Sequence, residues 1–140
     1  MLTGLNHITI AVNDISTSFD FYVKTLGFTP KARWTSGAYL CQGDLWLCLS
    51  VDEVSPRQDY THYAFSIRSE DFDVFSNHLK SLGIEEWKSN KSEGNSIYLL
   101  DPDGHKLEIH DGDLNSRLNA CLKHPYKDMV FFNGMSEAEQ

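Results

Sequence analysis

Cysteine is scarce in this chain, and the three present (Cys41, Cys48 and Cys121) are odd in number and never spaced as Cys-x-x-Cys. That pattern argues against a disulfide framework and against a cysteine-built zinc site, and it makes a reducing, cytoplasmic setting the expectation. Long apolar runs are missing too. Nothing approaches the ~18–20 residues needed to cross a bilayer, and the opening Met1-Leu2-Thr3-Gly4-Leu5 lacks the basic and apolar regions of a secretory leader. Positive charge is in deficit, with 12 Lys+Arg against 20 Asp+Glu and a net charge of -8. Binding to nucleic acid or to an anionic membrane is therefore not expected. A basic pocket can still sit inside an acidic protein.

What is present is a weak internal repeat over 140 residues. The first copy begins Asn6-His7-Ile8-Thr9-Ile10-Ala11-Val12 and the second Thr61-His62-Tyr63-Ala64-Phe65-Ser66-Ile67. Each is β-branched or aromatic and reads as a strand with histidine in second place. Candidate caps follow, Asp14-Ile15-Ser16 and Ser69-Glu70-Asp71, and each leads into an amphipathic helix. One carries Phe19, Tyr22, Val23 and Leu26; the other carries Phe72, Phe75, Leu79 and Leu82. The helices stop at Gly27 and Gly83, residues suited to a left-handed C-terminal position. Strands are expected at 29–35, 38–41 and 45–51 in the first copy and at 85–88, 96–100 and 106–110 in the second, where Asp101-Pro102-Asp103-Gly104 forms a turn.

Each half thus reads β-α-β-β-β, and the fold class is α+β, built from two such modules that pair because neither can bury both faces of its sheet. A single domain is expected over 1–132: module one at about 1–52, module two at about 59–112, and a C-terminal helix (114–122) and segment over 113–132. A polar tail, 133–140, follows.

The repeat gives its histidines weight. A lone strand histidine is usually structural, but His7 and His62 occupy equivalent places, so a two-fold arrangement of the halves would bring them together. Strand alternation puts Trp46, Cys48 and Ser50 on one face and Lys106, Glu108 and His110 on one face of the equivalent strand. Counting four residues from each turn pairs Cys48 with Glu108. The carboxylate is the plausible third metal ligand, since a soft thiol suits neither Mn²⁺ nor Mg²⁺. Two imidazoles and a carboxylate suit Mn²⁺, Fe²⁺, Co²⁺ or Zn²⁺, with positions left open for water or substrate. His78, His105, His110 and His124 are expected at turns, surfaces or helix ends.

Several stretches in order closely resemble the glutathione-dependent fosfomycin-resistance proteins of the vicinal oxygen chelate superfamily. They include Leu5-Asn6-His7-Ile8-Thr9, Gly37-Ala38-Tyr39-Leu40, Asp44-Leu45-Trp46-Leu47-Cys48-Leu49-Ser50, Asp59-Tyr60-Thr61-His62 and Asp101-Pro102-Asp103-Gly104-His105-Lys106-Leu107-Glu108. Trp87-Lys88, Asn90, Ser92-Glu93-Gly94, Ser96, Tyr98, Arg117-Leu118 and Pro125-Tyr126 extend the match to about Phe132.

The resemblance implies a domain-swapped homodimer of paired βαβββ modules, with His7 of one chain joining His62 and Glu108 of the other at Mn²⁺. It implies that Lys88, Ser92, Tyr98 and Arg117 bind a phosphonate, for which charge-assisted donors are the natural partners. Read without it, Lys88 and Arg117 are ordinary surface charges. It also implies a K⁺ site around Asn90, Ser92, Gly94 and Ser96. Thr9 would donate to the oxirane oxygen and Tyr39 would contact the thiol. Trp46 would pack on the substrate's apolar part, with Ser50 and Tyr60 as further pocket residues. The implied activity is conjugation of glutathione to the epoxide of fosfomycin. Hydrolytic relatives are expected to carry a glutamate near Gly37, so glycine there favours a thiol over water. An Fe²⁺ ring-cleaving dioxygenase and a non-catalytic antibiotic-binding protein are the alternatives.

Overall fold

The computed structural model describes residues 1–132, so the polar tail expected at 133–140 lies outside the described residues. The chain divides into two compact units, Met1–His62 with Leu100–Lys106, and Tyr63–Leu99 with the residues from Leu107 onward. The turn after the seventh strand, sequentially part of the second copy, therefore groups with the first unit. Among the described residues no helix is long and apolar enough to cross a membrane.

The first unit holds β1 (Ile8–Val12), α1 (Ile15–Asp20), β2 (Thr29–Trp34), β3 (Gly37–Gln42) and β4 (Leu45–Val51). Its sheet runs in the order β1-β4-β3-β2, with β1 parallel to β4 and the other neighbours antiparallel. Asp14 caps α1, accepting from the Thr17 backbone N–H at 2.9 Å and from its hydroxyl at 2.7 Å. Continuous helical spacing from Phe19 to Leu26 is not what forms. After Asp20 the chain widens into a π-helical turn, Phe21–Thr25, closed by the Leu26 N–H donating to the Phe21 carbonyl at 3.0 Å. Phe21 and Tyr22, at the start of this turn, are both buried. They pack edge-to-face with each other, and Tyr22 does so with Phe28. Ile10, Val12, Leu40, Leu47 and Leu49 complete this core, each worth ~1.5–3 kcal/mol if fully removed from water.

Buried Asp101 anchors the second-copy turn in the first unit. Its carboxylate accepts from the Tyr22 hydroxyl at 2.7 Å and from the backbone N–H groups of Asp103 and His105, both at 2.9 Å. His105 donates from Nε2 to the Ala11 carbonyl at 2.7 Å. Sequence spacing placed His105 at a turn, and this bond gives it a structural task there.

The second unit contains β5 (Tyr63–Ser66), α2 (Ser69–Ser81), β6 (Glu86–Lys88), most of β7 (Ser96–Leu100) and of β8 (Lys106–His110), and α3 (Leu114–Lys123). The strand order β5-β8-β7-β6, with β5 parallel to β8, repeats the first sheet. The expected cap at Ser69 is not observed. Arg68 occupies the N-cap position without a side-chain cap bond, and the Ser69 hydroxyl instead bonds Asp111. Asp113 caps α3 in a reciprocal capping box with Ser116. Gly27 and Gly83 both take positive φ, 86° and 69°, as expected of helix-stopping glycines. Both strands at the copy starts are shorter than their sequence runs, leaving His7 and His62 just before β1 and β5.

Candidate active site

In the first unit the register lines up the predicted residues on one face. Thr9 is opposite Cys48, and Cys48 is opposite Tyr39; Ser50 is opposite both Ala11 and Gly37. Residues directly opposite project to the same side of a sheet. That side is the open one, because Leu47 and Leu49 take the core-facing alternation while Trp46 and Ser50 stay exposed. A row of rings covers it: His7 lies on Trp46 at 4.6 Å between centroids, Trp46 meets Tyr39 at 5.4 Å, and Tyr39 meets Trp34 at 4.8 Å. His7, Thr9, Tyr39, Trp46 and Ser50 are thus gathered on one surface.

Gly37 is required there for space. A Cβ at this position would lie 2.5 Å from Cζ2 of Trp34 and 2.8 Å from the Leu49 carbonyl oxygen. The indole of Trp34 fills what a side chain at 37 would occupy.

The loop carrying His62 also belongs to the first unit. Asp59 is paired with Arg57 and accepts the Thr61 N–H at 3.0 Å, while the Lys106 ammonium donates to the Asp59 carbonyl at 2.6 Å. The Tyr60 ring, 56% exposed, meets His62 edge-on at 4.8 Å.

Each candidate metal ligand has an orienting partner. His62 Nδ1 lies 2.7 Å from the Tyr60 carbonyl oxygen, and His7 Nδ1 lies 2.8 Å from the Asn6 amide oxygen. An oxygen acceptor at Nδ1 assigns the proton to that nitrogen, so a neutral ring carries its lone pair on Nε2, the form a metal requires. In the second unit Glu108 is buried, and its Oε2 accepts from the Ser96 hydroxyl at 2.7 Å. The register also bears out the repeat. Two residues beyond His7, Thr9 pairs with Cys48; two beyond His62, Ala64 pairs with Glu108. The donor set therefore fits a divalent cation of borderline character. Among the described residues of one chain, no three His, Cys, Asp or Glu side chains are gathered to hold such an ion.

The remaining predicted residues lie in the second unit. Arg117 donates to Glu93 at 3.1 Å and to the Ser92 hydroxyl at 3.3 Å. Burial works against its charge, but hydrogen bonds with Glu93 and Tyr126 outweigh it and hold the guanidinium above its ordinary range. Beside it opens a cleft of about 350 Å³ whose walls include the donors Lys91, Ser92, Arg117, His124 and Tyr126 together with the Glu93 carboxylate, which Arg117 pairs. Lys88 sits over the ring of buried Tyr98 at 4.9 Å. The four anion-binding candidates thus form two contacting pairs. The 90–96 loop closes on itself: the Asn90 amide donates to the Gly94 carbonyl at 2.8 Å and accepts from the Ser92 N–H at 3.1 Å.

His110, expected at a turn, surface or helix end, is instead a half-buried strand residue. It ends β8 with its side chain only 14% exposed, its Nδ1 2.7 Å from the Ser96 hydroxyl and its Nε2 3.7 Å from Glu93. Sequence reasoning missed Asn95 and Asp111. No spacing signal marks these residues, because their partners come from neighbouring strands.

The family model of the Glyoxalase/Bleomycin resistance protein/Dioxygenase superfamily matches residues 4–109. The chain belongs to that superfamily. Within it, the chain is 55% identical over 136 residues to the glutathione transferase FosA of Serratia marcescens, covering 94% of this chain and 96% of the relative. To the metallothiol transferase FosB of Lysinibacillus sphaericus it is 37% identical, covering 93% and 96%. A mutant of the fosfomycin-resistance protein FosX from Listeria monocytogenes, solved with Mn(II) and 1S,2S-dihydroxypropylphosphonic acid, superposes with a TM-score of 0.78 at 31% identity, covering 86% of this chain and 98% of that one. This member of the superfamily therefore shares its fold with the fosfomycin-resistance proteins, and the two four-stranded sheets expected from the repeat are present.

Proposed function

We propose that the chain conjugates glutathione to fosfomycin and so inactivates the antibiotic. The observation that carries this reading is the 55% identity to a glutathione transferase FosA along 94% of the chain. The site supplies its chemical support. Nε2 of His62 and the carboxylate of Glu108, with His7 of the partner subunit in a domain-swapped homodimer, would hold the divalent metal, for which Mn²⁺ is the choice. That ion would supply Lewis-acid polarisation of the oxirane oxygen.

The chain's own residues do the rest. Arg117 and Ser92, with Lys88 and Tyr98, bind the phosphonate dianion through charge-assisted hydrogen bonds. Oxygen atoms of Asn90, Ser92, Gly94 and Ser96 would hold K⁺ beside it and add positive charge. Trp46 packs on the substrate's methyl group, with Ser50 and Tyr60 bordering the same space. Tyr39 donates to the thiol sulfur and places it for attack. A C–S bond forms at the ring carbon next to phosphorus as its C–O bond breaks. Thr9 donates to the oxygen as negative charge develops there, and the oxygen ends as a hydroxyl after taking a proton. Trp34 over Gly37 leaves no room for a carboxylate base in that spot, in keeping with thiol rather than water as nucleophile.

The test is phosphorus NMR of the purified protein mixed with fosfomycin, glutathione, Mn²⁺ and K⁺. A glutathione adduct is expected. A diol in its place, or unchanged fosfomycin, would reject the assignment, and turnover unchanged on omitting K⁺ would remove the potassium site.

A further inference from the structure

The 90–96 loop carries Ser92, Gly94 and Ser96, yet almost nothing inside it explains why it holds one shape. Gly94 and Asn95 are exposed, Asn90 closes one side, and Arg117 holds only Ser92 and Glu93. The fixed point for its Gly94–Asn95 half lies outside it, at Asp111. One carboxylate oxygen of Asp111 accepts the Asn95 backbone N–H at 2.7 Å, and the other accepts the Asn95 side-chain amide at 2.8 Å. The Asp111 N–H returns a bond to the Asn95 carbonyl at 3.1 Å. The same carbonyl lies 3.1 Å from His110 Nδ1.

Three bonds between two residues fix both position and orientation, as a single contact cannot. Gly94 shows how tight the docking is. It takes φ +76°, and a Cβ there would lie 2.8 Å from Cε1 of His110 and 3.0 Å from Oδ1 of Asp111. Asp111 is tied in turn to the Ser69 hydroxyl at the start of α2. It also stands two residues before Asp113, the cap of the helix that carries Arg117. One carboxylate therefore joins the loop bearing Ser92 to the base of the helix bearing Arg117.

We propose that Asp111 and Asn95 are the positioning pair of the anion site, setting the loop so that Ser92 and Arg117 meet the phosphonate together. This rests on the substrate reading given above. Neither residue touches the substrate; both act through the loop. Truncating Asp111 leaves the Asn95 N–H without its acceptor and releases the Gly94–Asn95 end of the loop, while Ser96–Glu108 and the histidines keep their own partners.

The experiment compares Asp111→Ala, Asp111→Asn and the double variant Asn95→Asp/Asp111→Asn with the parent protein. The readouts are fosfomycin KM and kcat, Mn²⁺ affinity and hydrogen exchange of the 92–96 amides. For Asp111→Ala the fosfomycin KM should rise about tenfold, as expected for losing hydrogen bonds to a charged group, with kcat and Mn²⁺ affinity within twofold and protection lost at Asn95. In the double variant the introduced amide oxygen can accept the backbone N–H at 95 while its NH₂ donates to the introduced carboxylate. That variant should recover most of the KM lost in Asp111→Ala, as should Asp111→Asn, whose oxygen still accepts the Asn95 N–H and whose NH₂ can donate to the Asn95 amide oxygen once that amide turns over. An unchanged KM in Asp111→Ala, or KM, kcat and metal affinity all failing together, would overturn the pairing, as would a double variant no better than Asp111→Ala. If the parent makes no adduct the substrate reading fails on its own, and the exchange data then decide: lost Asn95 protection in Asp111→Ala upholds the clasp, and unchanged protection overturns it.

Discussion

Replacing Ser96 with alanine should weaken Mn²⁺ binding without touching any atom that would bind that ion. The Ser96 hydroxyl donates to Oε2 of Glu108 at 2.7 Å, and the Glu108 side chain is only 9% exposed. A bond that short to a buried carboxylate is charge-assisted, and removing its donor costs about 1.5–3 kcal/mol. Loss of a partner that orients a metal ligand independently weakens metal binding by about 10–100-fold, which is about 1.4–2.8 kcal/mol. The two routes agree. The change is confined, because His110 Nδ1 keeps the Asn95 carbonyl at 3.1 Å when the serine hydroxyl is gone. Titrating Mn²⁺ while following the paramagnetic resonance of the unbound ion measures the affinity directly. Ser96→Thr, which keeps the hydroxyl and suits a strand, serves as the conservative comparison. Alanine and threonine variants that both bind Mn²⁺ within twofold of the parent would refute the reasoning and take the Ser96–Glu108 bond out of the metal site.

Arg117→Ala removes the guanidinium shared by Glu93 and Ser92, and the fosfomycin KM should rise about 10–100-fold with kcat less affected; steady-state kinetics giving an unchanged KM would exclude Arg117 from the anion site. Gly37→Ala would drive a Cβ to 2.5 Å from Trp34 and 2.8 Å from the Leu49 carbonyl oxygen. Because the backbone carbonyl cannot yield cheaply, about 1–3 kcal/mol of stability should be lost, seen as a lower Tm and altered indole fluorescence. Asp101 has its pKa raised by burial, against the opposing hydrogen bond from Tyr22. A carboxyl raised in the folded state favours folding most at pH below its ordinary value, and that contribution is lost as pH rises through the raised value. Denaturant titrations should therefore show the stability of the parent relative to Asp101→Asn falling as pH rises above about 4; a difference that grows with pH would reverse the sign and refute the burial argument.

Much of this protein was written in its local pattern. The alternation of Leu47 and Leu49 with Trp46, Cys48 and Ser50 is a property of the strand itself, so the core and open faces of β4 follow from the sequence. The repeat predicted that Cys48 and Glu108 are equivalent, and the pairings Thr9–Cys48 and Ala64–Glu108 agree. Gly27 and Gly83 announced where the helical segments stop, since positive φ costs other residues more.

Other features needed partners that only the folded chain supplies. The π-helical turn over Phe21–Thr25 replaces the continuous α-helix that the spacing of Phe19, Tyr22, Val23 and Leu26 announces. Ser69 reads as a cap but spends its hydroxyl on Asp111, forty-two positions later in the chain. The bonds of Ser96 to Glu108 and of Asp111 to Asn95 depend on the register of neighbouring strands and on loop docking. Periodicity is carried by each segment alone, whereas register and long-range hydrogen bonds are set by how segments pack. For that reason the candidate ligands were legible in the sequence, and the groups that hold them in place were not.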